Sequence, residues 1–304
     1  MGKHRSLRGK VIVITGGARG IGAKTAAALR EQGAKLALGD LDQVEVEKTA
    51  AELDALGLPL DVTDTRGFTA FLDEVERRLG PLDVLVNNAG IMPLSPLDEE
   101  DDVSTRRQLE INLHAVIHGT REAMLRMRPR GSGHIVNVAS MAGKAGFPGA
   151  ATYCATKHAV VGLSEAVRLE LRGSGVEVSC VIPARRPPPP STEALRAAVF
   201  IPIVRTELAS GLGEAKFFKS LQPEDVAAAI VDALRRPHFD VFVPKSLDAM
   251  GRITRLLPRA AGEWIARTLG GDQLLASAAH SSARSSYEAR AAESAPSVGT
   301  DGDS

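Results

Sequence analysis

Apolar residues fall along this chain in two alternating rhythms. Short unbroken runs rich in β-branched residues occur at 11–15 (VIVIT), 35–40 (KLALGD), 83–90 (DVLVNNAG), 134–140 (HIVNVAS), 176–183 (VEVSCVIP) and 240–244 (DVFVP). Runs of that kind, with no polar residue at every second position, predict strands buried on both faces of a sheet. Between them, residues 20–32, 65–79, 104–128, 153–172 and 223–236 carry apolar side chains at helical spacing. The last of these, PEDVAAAIVDALRRP, opens on a proline and two acids and closes on arginines before a second proline, which suits the helix dipole at both ends. Strands alternating with helices predict an α/β fold: a doubly wound parallel sheet in a single domain over residues 1–250.

Three segments break the rhythm. Residues 185–202, RRPPPPSTEALRAAVFIP, interrupt the chain after the run at 176–183, and four consecutive prolines exclude both a helix and a central strand there. They read as an inserted loop. Residues 251–278 form an amphipathic C-terminal extension, with Ile253, Leu256, Leu257, Trp264, Ile265 and Leu269 at helical spacing among arginines. The tail, 279–304, is rich in Ala, Ser, Gly and Asp and is expected to be disordered.

Charge narrows the function classes. Lys plus Arg and Asp plus Glu number 37 each, so no global field draws the 304-residue chain to nucleic acid or an anionic bilayer. Cys154 and Cys180 lack metal-ligand spacing, and the seven histidines form no pair with an acidic partner, so no metal site is expected. The apolar run before Gly16 is too short for an export leader, and no apolar stretch approaches the roughly 18 residues of a spanning helix. The expected location is the cytoplasm.

Chemistry enters after the first strand. Thr15-Gly16-Gly17-Ala18-Arg19-Gly20-Ile21-Gly22 is a glycine-rich turn that opens the first helix, where backbone N–H groups and the positive dipole end suit a pyrophosphate. Asp40 ends the second strand, 18 residues after Gly22, where a carboxylate accepts hydrogen bonds from both adenosine ribose hydroxyls and repels a 2′-phosphate. This is a Rossmann fingerprint that favours NAD over NADP. Arg19 pulls the other way, as a cation that would suit the 2′-phosphate, and Asp40 outweighs it because a carboxylate facing a phosphate is a like-charge clash.

Tyr153 and Lys157 lie one helical turn apart on one face. A free tyrosine has a pKa near 10, so acid/base work near neutral pH calls for the help of a nearby ammonium. TGGARGIG, Asp61-Val62, Asn87-Asn88-Ala89-Gly90, Asn112, Ser140 and Tyr153-x-x-x-Lys157 occur in an order and spacing that resembles the short-chain dehydrogenase/reductase family over roughly residues 8–245. The resemblance implies an NAD(P)-dependent enzyme that moves a hydride between the nicotinamide and a small-molecule alcohol or carbonyl. By the same resemblance Tyr153 is the general acid/base, Ser140 holds the substrate oxygen, Lys157 also binds the nicotinamide ribose, and Asn112 anchors a water that relays protons from Lys157. Asp61 and Val62 then flank the adenine, Asn87 stabilises the central sheet, and Asn88, Ala89 and Gly90 line the cofactor. The family's P-G-x-V-x-T pattern departs here: Pro183-Ala184 meets Ile203-Val204-Arg205-Thr206 only when 185–202 is removed, which leaves Thr206 as the expected carboxamide contact.

Two other classes compete with the enzyme. One is an NAD(H)-binding regulator of the same fold without chemistry, and Tyr153 and Lys157 argue against it. The other is a membrane-surface protein acting through 251–270, which the packing of that stretch on its own domain or a partner subunit explains more simply. Cys154 reads as a small buried helix residue rather than a reactive thiol. Around the pocket, Ile91, Met92, Leu94, Met141, Phe147, Leu208, Phe217 and Phe218 suggest a hydrophobic alcohol or ketone. The helical stretches 104–128 and 153–172 resemble the family's subunit-pairing helices, implying a homodimer or homotetramer.

Overall fold

The structure, a computed structural model, describes residues 4–183, 221–244 and Tyr287. Seven strands form one sheet: β1 (Val11–Thr15), β2 (Lys35–Asp40), β3 (Leu56–Pro59), β4 (Val84–Asn87), β5 (Gly133–Val138), β6 (Val176–Pro183) and β7 (Asp240–Val243). All neighbours are parallel, in the order β3-β2-β1-β4-β5-β6-β7. Successive strand residues face opposite sides of a sheet, and here both sides are covered. Val11, Val13, Ala37, Leu85, Ile135 and Val178 share one core with helices α3 (Thr65–Leu79), α5 (Ala115–Met127) and α6 (Ala151–Glu170). Ile12, Ile14, Leu36, Leu38, Val136 and Val181 share the other with α1 (Gly20–Glu31), α2 (Gln43–Glu52) and α7 (Pro223–Arg235). The doubly wound sheet follows from strands that are apolar on both faces.

The helix α2 was not among the expected elements. Its sequence, QVEVEKTAAE, opens with alternating valine and glutamate, the period of a strand, and Val44 is 78% exposed. Only Val46, Thr49 and Ala50, at i, i+3 and i+4, are buried, while the Asp42 side chain caps the helix by accepting from Glu45 N. The expected helix at 104–128 is α4 (Asp102–Leu109), a π-helical turn (Glu110–His114) and α5. The expected strand at 83–90 ends at Asn87, so Asn88–Gly90 leaves the sheet as a loop. The insertion 185–202, Thr206 and the extension 251–278 lie outside the described residues. Within the stretch 279–304 the described residue is Tyr287, which is 7% exposed and belongs to the core that contains Ile91. The tail's other residues lie outside the described set.

Candidate active site

Strand order reverses at β1, which pairs with β2 on one side and β4 on the other. A crevice opens beyond the carboxyl ends of strands at such a point. Two loops meet there and are tied together. Thr15 Oγ1 accepts from Asn88 N at 3.0 Å and Ala89 N at 3.1 Å, while Asn88 Nδ2 donates to the carbonyls of Thr15 and Gly16, each at 3.0 Å. Gly16 has φ +66, and a Cβ there would stand 2.9 Å from Ala89 Cα. A Cβ on Gly22 would stand 2.0 Å from Gly16 O, so only glycine lets the turn fold back on α1. The side chain of Arg19 does not cap α1, and its first turn holds no acid, so the helix N-terminus keeps its positive end beside Gly20 and Ile21.

Asp40 lies at the edge of this crevice. It accepts from Ala18 N at 3.0 Å and Asp42 N at 3.2 Å, and burial raises its carboxyl pKa against those bonds. Arg19 does not stand clear beside it: the guanidinium is 2.7 Å from Asp42 and 3.9 Å from Glu45. Thr49 of α2 fixes Ala18 by donating to its carbonyl at 2.8 Å. Sequence reasoning passed over these α2 partners because α2 itself was not foreseen. Asp61 accepts from Thr63 N and Thr63 Oγ1, and Leu60 N donates to Asp40 O, which brings Asp61 and buried Val62 to the same end of the sheet.

The second half of the crevice gathers the other expected residues. Tyr153 is in the first turn of α6, with Lys157 one turn on and its Nζ 5.7 Å from the centre of the phenol ring. Ser140, which ends the β5 exit, stands close enough to the Tyr153 hydroxyl to lower its pKa and accepts from Ala142 N at 3.1 Å. Lys157 Nζ donates to Val138 O at 3.1 Å. Burial pushes the Tyr153 phenol up to about 12, with the Ser140 bond pulling it down, and pushes the Lys157 ammonium down to about 8. Near neutral pH the pair is therefore a phenol beside an ammonium.

Asn112 sits in the π turn, where the wider backbone turn breaks the helical phase. Its Oδ1 accepts from Ile91 N and its Nδ2 donates to Ile91 O, both at 2.8 Å, with a longer bond to Thr156 at 3.5 Å. A Cβ on Gly90 would lie 3.0 Å from Asn112 Oδ1 and 3.6 Å from Lys157 Nζ, so Gly90, Asn112 and Lys157 are immediate neighbours. Asn87 is in the sheet, bonded to Asn137 at 2.9 Å. Pro183 ends β6 in register with Val243. Tyr287, which no sequence signal marked, accepts from Met92 N at 2.7 Å.

A family model described as short chain dehydrogenase matches residues 10–192. The chain belongs to the short-chain dehydrogenase family. It is 40% identical over 179 residues to the 3-alpha-(or 20-beta)-hydroxysteroid dehydrogenase of Mycobacterium bovis, covering 58% of this chain and 69% of the relative. It is 35% identical over 230 residues to 2-(S)-hydroxypropyl-CoM dehydrogenase 3 of Xanthobacter autotrophicus, covering 74% and 89%. A crystal structure of a short-chain dehydrogenase/reductase from Burkholderia phymatum in complex with NAD superposes with a TM-score of 0.68 at 28% identity, over 82% of this chain and 93% of that one. This short-chain dehydrogenase is thus an NAD(P)-dependent oxidoreductase acting on CH–OH groups. Its crevice fits such a dinucleotide: a glycine turn with no room for a Cβ, an uncapped helix N-terminus, and a buried carboxylate at the β2 end. Among the described residues no helix is long and apolar enough to cross a membrane, and no group of His, Cys, Asp or Glu is placed to hold a metal ion.

Proposed function

We propose that this enzyme interconverts a hydrophobic secondary alcohol and its ketone with NAD(H). The observation that carries the reading is the buried phenol of Tyr153, with the Nζ of the equally buried Lys157 5.7 Å from its ring and Ser140 beside it. The nicotinamide, when bound, supplies or accepts the hydride. The chain's own residues handle the proton. On reduction Tyr153 Oη gives its proton to the substrate oxygen, and on oxidation it takes one back. Ser140 Oγ holds that oxygen, and the Lys157 ammonium stabilises the phenolate left behind while binding the nicotinamide ribose. Asn112 holds the Gly90–Ile91 wall of the lysine site with its amide and anchors the relay water. Gly16, Arg19, Gly20, Ile21 and Gly22 cradle the pyrophosphate, Asp61 and Val62 flank the adenine, and Asn88 to Gly90 with Pro183 line the nicotinamide side.

Ile91, Met92 and Leu94 are buried apolar residues at the mouth of the site, which supports a hydrophobic substrate, as does the hydroxysteroid named for one relative. The test is a panel of lipophilic alcohols and ketones followed by NADH absorbance in both directions. Tight NADH binding with no turnover on any of them would favour the regulator instead.

The carboxylates support NAD over NADP. Asp40 faces the adenosine ribose position, and Asp42 with Glu45 occupies the one cation, Arg19, that would meet a 2′-phosphate. Asp40→Ala is expected to weaken NADH by about tenfold, the scale of a lost charged hydrogen bond. Preference for NADPH should rise further when Asp42→Ala also removes the nearer carboxylate from Arg19. Wild-type enzyme with a lower KM for NADPH than for NADH would overturn this reading.

The same reading expects a two-fold symmetric dimer or tetramer. Val103 and Leu109 on α4, Leu125 on α5 and Leu169 on α6 are large apolar side chains between 40% and 63% exposed, on the helices expected to pair. Light scattering at micromolar concentration should give at least twice the 32.1 kDa chain mass, and a monomer would refute it.

A further inference from the structure

One peptide group beside the site is gripped from both sides. The carbonyl of Ile91 and the N–H of Met92 belong to the same peptide unit and, in a trans peptide, point in opposite directions. Asn112 Nδ2 holds the carbonyl at 2.8 Å, and the Tyr287 hydroxyl accepts from the N–H at 2.7 Å. The preceding N–H, that of Ile91, goes to Asn112 Oδ1. The stretch Gly90–Met92 therefore has three fixed points, two from Asn112 and the third from a residue 195 positions further along.

We infer that Tyr287 is a positioning residue of this active site: its hydroxyl fixes the Ile91–Met92 peptide opposite Asn112 and so sets the wall against which the substrate packs. The inference rests on the reading that Met92 and its neighbours line the substrate side of the Tyr153–Lys157 site. Both partners are buried, Met92 at 6% and Tyr287 at 7% exposure, so water does not readily replace the phenol as acceptor. Hydrogen bonds in series polarise one another, so an acceptor on the Met92 N–H also strengthens the Ile91 carbonyl as partner for Asn112. The same asparagine amide lies against Gly90, whose other side-chain neighbour is the Lys157 ammonium. Tyr287 thus acts on the substrate wall directly and on the lysine site only through Asn112. This gives Tyr287 a place in the catalytic domain.

The test compares Tyr287→Phe and Tyr287→Ala with the wild type in the full-length chain. Phenylalanine keeps the ring in the core and removes the hydroxyl that accepts from Met92 N. Its Met92 amide should exchange with solvent at least threefold faster, and KM for the alcohol or ketone should rise about three- to tenfold, the range of a lost neutral hydrogen bond. The turnover number, NADH affinity and melting temperature should stay near wild type, and alanine should raise KM further. Unchanged exchange at Met92 overturns the inference whatever the kinetics. So does faster exchange with an unaltered substrate KM, or a parallel loss of NADH affinity and melting temperature, which would mark a purely structural contact. Tyr153→Phe in the same assay judges the catalytic reading separately: full turnover there with faster Met92 exchange in Tyr287→Phe would overturn that reading and leave the clamp standing.

Discussion

Tyr153→Phe is expected to lower kcat by at least ~100-fold while NADH binds as in the wild type, because the substitution removes the hydroxyl that carries the proton and leaves the ring. The ring stays in its buried place at the start of α6, and Ser140 keeps its bond from Ala142 N, so the site's frame survives. What disappears is the group that gives the proton to a carbonyl oxygen as the hydride arrives at the carbon. With the phenol pushed up to about 12 by burial, the wild-type site stands protonated at neutral pH and ready for reduction. Oxidation needs the phenolate, which Ser140 favours and which the Lys157 ammonium one turn away is expected to stabilise. Steady-state kinetics in both directions, with NADH binding followed by fluorescence, checks the result. Near wild-type turnover in Tyr153→Phe would remove the mechanism.

Much of this was legible from spacing alone. The strands showed because parallel strands covered on both faces are apolar without interruption, so Val11–Thr15 and Val176–Pro183 appeared with their observed bounds. Motifs at fixed distances from strand ends come together at one crevice because a parallel sheet carries its strand ends to the same side. What escaped has physical reasons. The helix α2 hid behind Val-Glu alternation and a narrow buried stripe, and with it went Asp42, Glu45 and Thr49, which decide what Arg19 and Ala18 can do. The π turn at Glu110–His114 follows no apolar period, so nothing showed that Asn112 would turn its amide back onto Ile91. Tyr287 was beyond reach for a different reason: it is a single aromatic residue in an Ala- and Ser-rich tail, and its partner is a backbone N–H, which leaves no trace in a sequence.

Lys157→Met is expected to abolish turnover and yet make the protein more stable at pH 7. The ammonium is fully buried, and burial lowers its pKa from 10.5 to about 8. In the unfolded chain the lysine titrates at its ordinary value, so the native state carries a cost of about 3 kcal/mol at neutral pH, from about 1.36 kcal/mol per unit. Methionine of similar length avoids that cost. It also leaves Val138 O without its 3.1 Å partner, a loss of about 1 kcal/mol, so the net gain should be about 2 kcal/mol. The direction with pH follows from proton counts. Between about 8 and 10.5 the unfolded wild type binds a proton that the native state has released, so wild-type stability climbs with pH across that window, and the variant should lack the climb. Denaturant melts of both proteins at pH 7 and pH 10 measure this directly. Activity should move the other way: wild-type carbonyl reduction stays level up to about pH 8 and declines above it as the ammonium is lost. The variant should fall at least as far as Tyr153→Phe, with weaker NADH binding in addition, because Lys157 also serves the nicotinamide ribose. A variant less stable than wild type at pH 7 would mean that the buried charge is compensated within the fold. In the proposed reading it is not: the protein tolerates an unfavourable ammonium because the phenolate of Tyr153 requires it.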